Sequence, residues 1–146
     1  MHIYLGADHR GFQLKTDVIN WLTSRQITFT DFGADHFDAE DDYNDFAKKV
    51  ATALLSDNRP DSFGILLCGS GQGMCMQANR FKGIRAVICA DSTDAVETRG
   101  HNDANVLCIS ADKSYHNYTN ILDAFINASP LTEEKYQRRN EKLDQN

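Results

Sequence analysis

The sequence predicts an α/β domain: a five-stranded parallel sheet covered by helices on both faces and continued by a C-terminal helical arm. Two observations predict it. Short β-branched or apolar runs alternate along the chain with longer segments of helical period. Each run is followed by a turn or by Gly, Asp or Ser residues able to open a helix, so consecutive strands can run parallel through right-handed crossovers.

Taken in order, the first strand is His2–Ala7, and Leu14, Val18, Trp21 and Leu22 make the apolar stripe of the helix after it. The second strand is Ile27–Phe32, followed by a stripe of Tyr43, Phe46, Ala47, Val50 and Leu54. Phe63–Cys68 is the third strand, Ile84–Cys89 the fourth and Ala104–Ile109 the fifth. Gly73–Phe81 and Thr93–Gly100 are less regular, and they are assigned as helices because parallel strands need crossovers there. Tyr115, Tyr118, Leu122 and Phe125 form the last apolar stripe. After Pro130 the chain changes character: Thr132–Leu143 carries only Tyr136 and Leu143 as apolar residues at helical spacing. It reads as a frayed tail or an arm, over about residues 131–146, lying on another subunit.

With 146 residues and 41% hydrophobic content, residues 1–146 fit one domain with a real core. A formal charge of −6 speaks against nucleic acid or an anionic membrane as partner, while leaving room for a small anion held by local basic groups. Cys68, Cys75, Cys89 and Cys108 all lie in apolar stretches, and the N-terminus lacks the charged and apolar regions of a secretion signal. Reduced thiols in the cytoplasm are the expectation. Nothing has metal-ligand spacing or the length of a membrane span, so no metal and no membrane are expected. The sequons at Asn117 and Asn127 are read as chance matches.

A parallel sheet delivers the C-terminal ends of all its strands to one edge, where ligands bind. That edge collects Asp8-His9-Arg10-Gly11 after the first strand, Cys68-Gly69-Ser70-Gly71-Gln72-Gly73 after the third, and Asp91 after the fourth. Alternating glycines between a buried strand and a helix let backbone N–H groups point inward as an anion cradle. Dinucleotide binding is a rival use of such a turn. Its fingerprint wants a further glycine where Met74 stands, although Asp91 lies at about the 20-residue distance of a ribose-binding acid.

Cys68 at the cradle suggests a base, because N–H dipoles would draw a thiol down from about 8.5 toward neutrality. The bland alternative, a small apolar filler, is assigned to Cys75, Cys89 and Cys108. Asp8 and His9 could serve as a turn and helix cap, yet they share the edge with Cys68. His101-Asn102 precedes the fifth strand and therefore belongs at the opposite edge, about 20 Å from Cys68 for six strand residues. A catalytic His101 must act on a partner's site.

Several segments together resemble the type B ribose-5-phosphate isomerases and the related galactose-6-phosphate isomerase subunits. They are Gly6-Ala7-Asp8-His9-Arg10-Gly11-Phe12, Asp31-Phe32-Gly33, Asp42-Tyr43, Cys68 through Met74, Ala78-Asn79, Gly83-Ile84-Arg85-Ala86 and His101 through Leu107. The resemblance spans almost the whole chain. It implies a Rossmann-like three-layer αβα sandwich, a homodimer or dimer of dimers with the active site at the interface, a small-molecule sugar phosphate as ligand, and no cofactor. It further implies that Cys68 takes the C2 proton and that His101 of the partner chain is the ring-opening acid. Asp8 and His9 then contact sugar and phosphate, Gly69, Ser70, Gly71, Gln72 and Gly73 form the anion cradle, and Asn102 is a further substrate ligand.

Arginines that grip the phosphate in the family pattern correspond here to Asp112, Lys135 and Arg139, and Tyr136 stands where histidine is common. Lysine can pair with phosphate as a point charge, whereas Asp112 would repel it. Phosphate recognition is therefore expected to be rearranged, recruiting Arg10, Arg138 or Lys113. Ribose 5-phosphate is the expected substrate. A six-carbon sugar phosphate such as allose or galactose 6-phosphate, and a non-catalytic nucleotide- or sugar-phosphate-binding module, are the alternatives.

Overall fold

The structure, a computed structural model, describes residues 1–113 and 117–145. Tyr115, placed by its spacing in the last apolar stripe, lies outside them. The order is β1 (His2–Ala7), α1 (Phe12–Ser24), β2 (Thr28–Asp31), α2 (Tyr43–Ser56), β3 (Ser62–Cys68), α3 (Gln72–Ala78), β4 (Ala86–Ile88), α4 (Ser92–Asn102), β5 (Val106–Ser110), α5 (Tyr118–Asn127) and α6 (Glu134–Leu143). All strand pairs are parallel, in the order β2-β1-β3-β5-β4.

Burial follows position in that order. Every residue of the central β3 is buried, as expected of a parallel strand covered on both faces. Phe63, Ile65 and Leu67 enter the core under α1 and α5, while Leu66 and Cys68 enter the opposite core under α2 and α3. The three-layer sandwich is thus one sheet with two cores. Phe125 is fully buried and meets Phe63 edge to face at 5.8 Å, and burying a side chain of that size contributes about 1.5–3 kcal/mol.

The edge strands are shorter than expected. β2 covers Thr28–Asp31 rather than Ile27–Phe32, and β4 covers Ala86–Ile88 rather than Ile84–Cys89. Before β4 the Ile84 N–H turns back to the Phe81 carbonyl and the Arg85 N–H goes to Asn105 Oδ1, while the side chain of Asn79 exchanges hydrogen bonds of 2.8 Å with the N–H and carbonyl of Ala86, the strand's first residue. β5 starts at Val106 instead of Ala104, because Asp103 ends α4 in the left-handed conformation. In α2 the buried stripe is Ala47, Val50, Ala51 and Leu54, and Tyr43 is turned out of it. The arm is a helix from Glu134 with no buried residue, tied to its own chain by the His101–Tyr136 ring stack and by Asp144, which accepts the Gly83 N–H.

The order of the strands positions the site. From β1 the chain crosses outward to β2, and from β2 it returns past β1 to β3, so the loops after β1 and β3 diverge and leave a crevice between them. Asp8-His9, which follow β1, and Cys68-Gly69, at the end of β3, flank it.

Candidate active site

On the β1 side of the crevice the chain turns at once into α1. The Asp8 carboxylate accepts the Gly11 N–H at 2.9 Å and so closes the turn before α1, whose N-cap is Gly11 with no side-chain cap. Burial raises the Asp8 pKa, against the pull of that N–H and of His9. His9 reaches across to the loop before α2, with its Nδ1 2.6 Å from Asp41 Oδ1, and this contact raises the imidazole pKa.

On the β3 side, Cys68 is 5% exposed and its sulfur faces the glycine turn, accepting the Gly71 N–H at 3.1 Å. Gly71 opens α3 with φ of +78°, a conformation that glycine adopts without penalty. Ser70 Oγ takes the Gln72 N–H at 3.2 Å, and the Tyr43 ring packs on Gly73. The turn is braced from β5: Ser110 Oγ donates to the Gly69 carbonyl at 2.7 Å, and the Asp112 N–H donates to the same oxygen at 3.1 Å.

The expectation of a thiol drawn toward neutrality is corrected. Burial pushes the Cys68 thiol up, the Asp8 carboxylate adds to it, and the N–H groups of Met74, Gly71 and Ser70 only partly oppose the shift. The reason is the scale of the two effects: α3 has seven residues and Cys68 is nearly sealed, so desolvation outweighs the amide dipoles. Cys75, expected as buried filler, is instead half-buried with a pKa lowered by the Cys108 thiol. All four cysteines are free.

The remaining expected site residues lie elsewhere. α4 carries the chain back from the ligand edge, so His101 and Asn102, in its last turn, stand at the start of β4. They line a cleft of about 610 Å³ that follows β4 from Ala86 to Cys89 and ends at Gln72 and Asp94; Cys68 is not part of its wall. Lys135 and Arg139 lie four residues apart on α6, the helix that carries Tyr136 and Asn140 against His101. Tyr136 stacks on the His101 ring at 4.9 Å, and Lys135 Nζ lies 4.7 Å from the Tyr136 ring centre.

The expected residues thus fall toward two ends of one chain with Gln72 between them. Asp8, His9, Cys68, Gly69, Ser70, Gly71 and Gly73 lie at or after the ends of β1 and β3, His101 and Asn102 end α4 with Lys135 and Arg139 on α6, and Gln72 opens α3 on the wall of the cleft that His101 and Asn102 also line.

Two charged neighbours complete the crevice. Arg10 lies against Gly69 and chelates both carboxylate oxygens of Asp112, and Asp41 holds His9. The sequence signalled Asp112 only as a departure from a pattern and Arg10 as a cation that phosphate recognition could recruit, and Asp41, inside an acidic run, carried no signal. The dinucleotide reading, already short of a glycine at Met74, which fills the core, loses its support at Asp91, whose carboxylate is spent capping α4 through the Thr93 and Asp94 N–H groups. Among the described residues no helix is long and apolar enough to cross a membrane, and no cluster of three His, Cys, Asp or Glu could hold a metal.

The family model described as Ribose/Galactose Isomerase matches residues 3–143. Ribose-5-phosphate isomerase B of Mycobacterium tuberculosis is 36% identical over 142 residues, covering 95% of this chain and 85% of that protein. Among solved structures, a ribose 5-phosphate isomerase from Thermotoga maritima superposes with a TM-score of 0.91 at 37% identity, over 99% of this chain and 98% of that one. The Mycoplasma genitalium ribose-5-phosphate isomerase B with bound ribulose-5-phosphate superposes with a TM-score of 0.89 at 36% identity, over 97% and 93%.

Proposed function

The chain belongs to the ribose/galactose isomerase family, and on that premise we propose that it interconverts ribose 5-phosphate and ribulose 5-phosphate. It is an aldose–ketose isomerase of the ribose-5-phosphate isomerase B type. In the proposed mechanism His101 of a second copy donates a proton to the ring oxygen and opens the sugar. The Cys68 thiolate removes the proton from C2, the electron pair moves onto the C1 carbonyl, and an enediolate forms. The cradle amides of Gly69 through Gly73 stabilise its charge, by about 2.7–4 kcal/mol per donor in comparable oxyanion holes. Cys68 then returns a proton at C1, with Ser70 placed to assist proton movement, and the ketose is released. Asp8 binds sugar hydroxyls, and His9 binds the phosphate together with Lys135 and Arg139 of the second copy.

The observation that carries this reading is that His101 and Asn102 line a cleft whose wall includes Gln72 but not Cys68, so that His101 and Cys68 of one chain do not face each other. A homodimer, or dimer of dimers, joins the crevice of one copy to the His101, Asn102, Lys135 and Arg139 group of another, and the α6 arm then contacts the partner. The free thiols fit a reducing cytoplasm. A six-carbon sugar phosphate is the second reading, because Asp112 engages Arg10, a cation that phosphate recognition could otherwise recruit.

The test mixes Cys68→Ala and His101→Ala variants, each inactive alone toward ribose 5-phosphate. Hybrid dimers regain one intact site and measurable isomerase activity. No recovery after subunit exchange has been verified by mass spectrometry overturns the shared site. A panel of pentose and hexose phosphates assigns the sugar.

A further inference from the structure

Asp41 is out of keeping with its surroundings. Residues 38–40 and 42 around it are exposed, yet its side chain is only 9% exposed. Its Oδ1 sits 2.6 Å from His9 Nδ1, and its Oδ2 is shut off from solvent without a hydrogen-bond partner. A carboxylate so enclosed is costly unless a cation stands beside it, and His9 is the group in contact. The Phe37 ring meets the His9 ring edge-on at 6.0 Å and 90°, closing its other flank. With Nδ1 engaged and the ring clamped, Nε2 is the remaining donor.

We propose that Asp41 is a positioning residue that fixes His9 as an oriented imidazolium whose Nε2 donates to the phosphate of the substrate. The assignment rests on the reading of His9 as a phosphate ligand. It also answers a deficit in the site, because Asp112 cancels the charge of Arg10 and the crevice needs another cation. An ordinary imidazole, near 6.5, is largely neutral above pH 7. Around His9, Asp41 and Asp8 favour the charged ring while Arg10 and desolvation oppose it, and the balance is upward. Asp31, Asp35, Asp38, His36 and Lys49 line the hollow that Asp41 also borders.

Asp41→Asn keeps the shape and removes the charge. In ligand-free protein, the NMR titration of His9, identified by its loss in His9→Gln, lies above the free-imidazole range in the wild type and moves down in Asp41→Asn. In kinetics, the KM for ribose 5-phosphate rises roughly tenfold in the variant near pH 8 and converges with the wild type near pH 6, where both rings are charged. An unchanged His9 titration, or a KM difference independent of pH, overturns the proposal. Should Asp41→Asn fail to fold, the wild-type titration decides alone, and a His9 at or below the free-imidazole value overturns it. Wild-type protein that does not isomerise ribose 5-phosphate refutes the functional reading instead, while the titration still tests the Asp41–His9 pair.

Discussion

The Arg10 guanidinium holds both carboxylate oxygens of Asp112, at 2.9 and 2.7 Å, across the glycine turn that follows Cys68. Asp112 thereby offsets the positive charge that Arg10 would otherwise present beside that turn. Both side chains are about half exposed, so the pair is held loosely enough for an anion to compete. Asp112→Asn should release Arg10 to the substrate and lower the KM for the sugar phosphate several-fold, more at low salt than at high salt. Arg10→Ala should raise it. Steady-state kinetics at two ionic strengths check this, and a higher KM in Asp112→Asn would show that the carboxylate itself serves the substrate.

The proposed role of Cys68 as the base predicts a particular pH dependence. Its folded pKa is raised by burial first and by Asp8 second, so the thiolate fraction is small at neutral pH and grows as pH rises. The kcat/KM for ribose 5-phosphate should accordingly climb through the alkaline range instead of levelling near neutrality. Cys68→Ala should lower kcat by about 10²–10⁴ without unfolding the chain. A flat profile above pH 7, or substantial turnover by Cys68→Ala, would remove Cys68 from the chemistry.

The same burial makes the fold sensitive to alkali. Cys89 is pushed up to about 12 by burial and by the carboxylates of Asp94 and Asp91, and Cys68 and Cys108 are raised by burial as well. Unfolded thiols titrate near 8.5, so from about pH 9 to about pH 12 the folded chain holds protons that the unfolded chain has lost. Stability must therefore fall as pH rises through that window. Cys75, lowered by the Cys108 thiol, works in the opposite sense just below pH 9, one group against three. Urea midpoints measured in reductant from pH 7 to pH 10 should decline, and the decline should be shallower in Cys89→Ala.

What the sequence disclosed was what local pattern controls. β1 coincides with its expected range and β3 extends it by one residue, because continuous apolar runs in a buried parallel strand leave little choice. β4 was overextended because the Ile84 N–H turns back to the Phe81 carbonyl and the Arg85 N–H goes to the Asn105 side chain, which no periodicity reports. Asp8, His9 and Cys68 were legible together through the rule that strand ends share an edge. The Cys68 pKa was misjudged because the depth of burial cannot be read from a glycine turn. Asp41 stayed hidden because 32 residues separate it from His9, and only the fold brings them into contact.

Gly11 and Gly71 flank the crevice for different reasons, and substitution should separate them. Gly11 has an ordinary φ of −87°, but a Cβ there would stand 2.2 Å from the Leu67 carbonyl oxygen and 2.5 Å from its carbon. That carbonyl is fixed in the sheet and accepts the Asp8 N–H at 3.2 Å, so neither backbone can yield without opening the contact between β1 and β3. Gly71 has room for a Cβ, with its nearest neighbours at 3.5 Å, and suffers only from its φ of +78°. Gly71→Ala should therefore cost about 1–2 kcal/mol and keep the fold. Gly11→Ala should cost about 3 kcal/mol or more, since overpacking against rigid backbone finds no relief. Urea denaturation of the two variants orders them, and equal losses would mean that the Leu67 backbone is free to move aside.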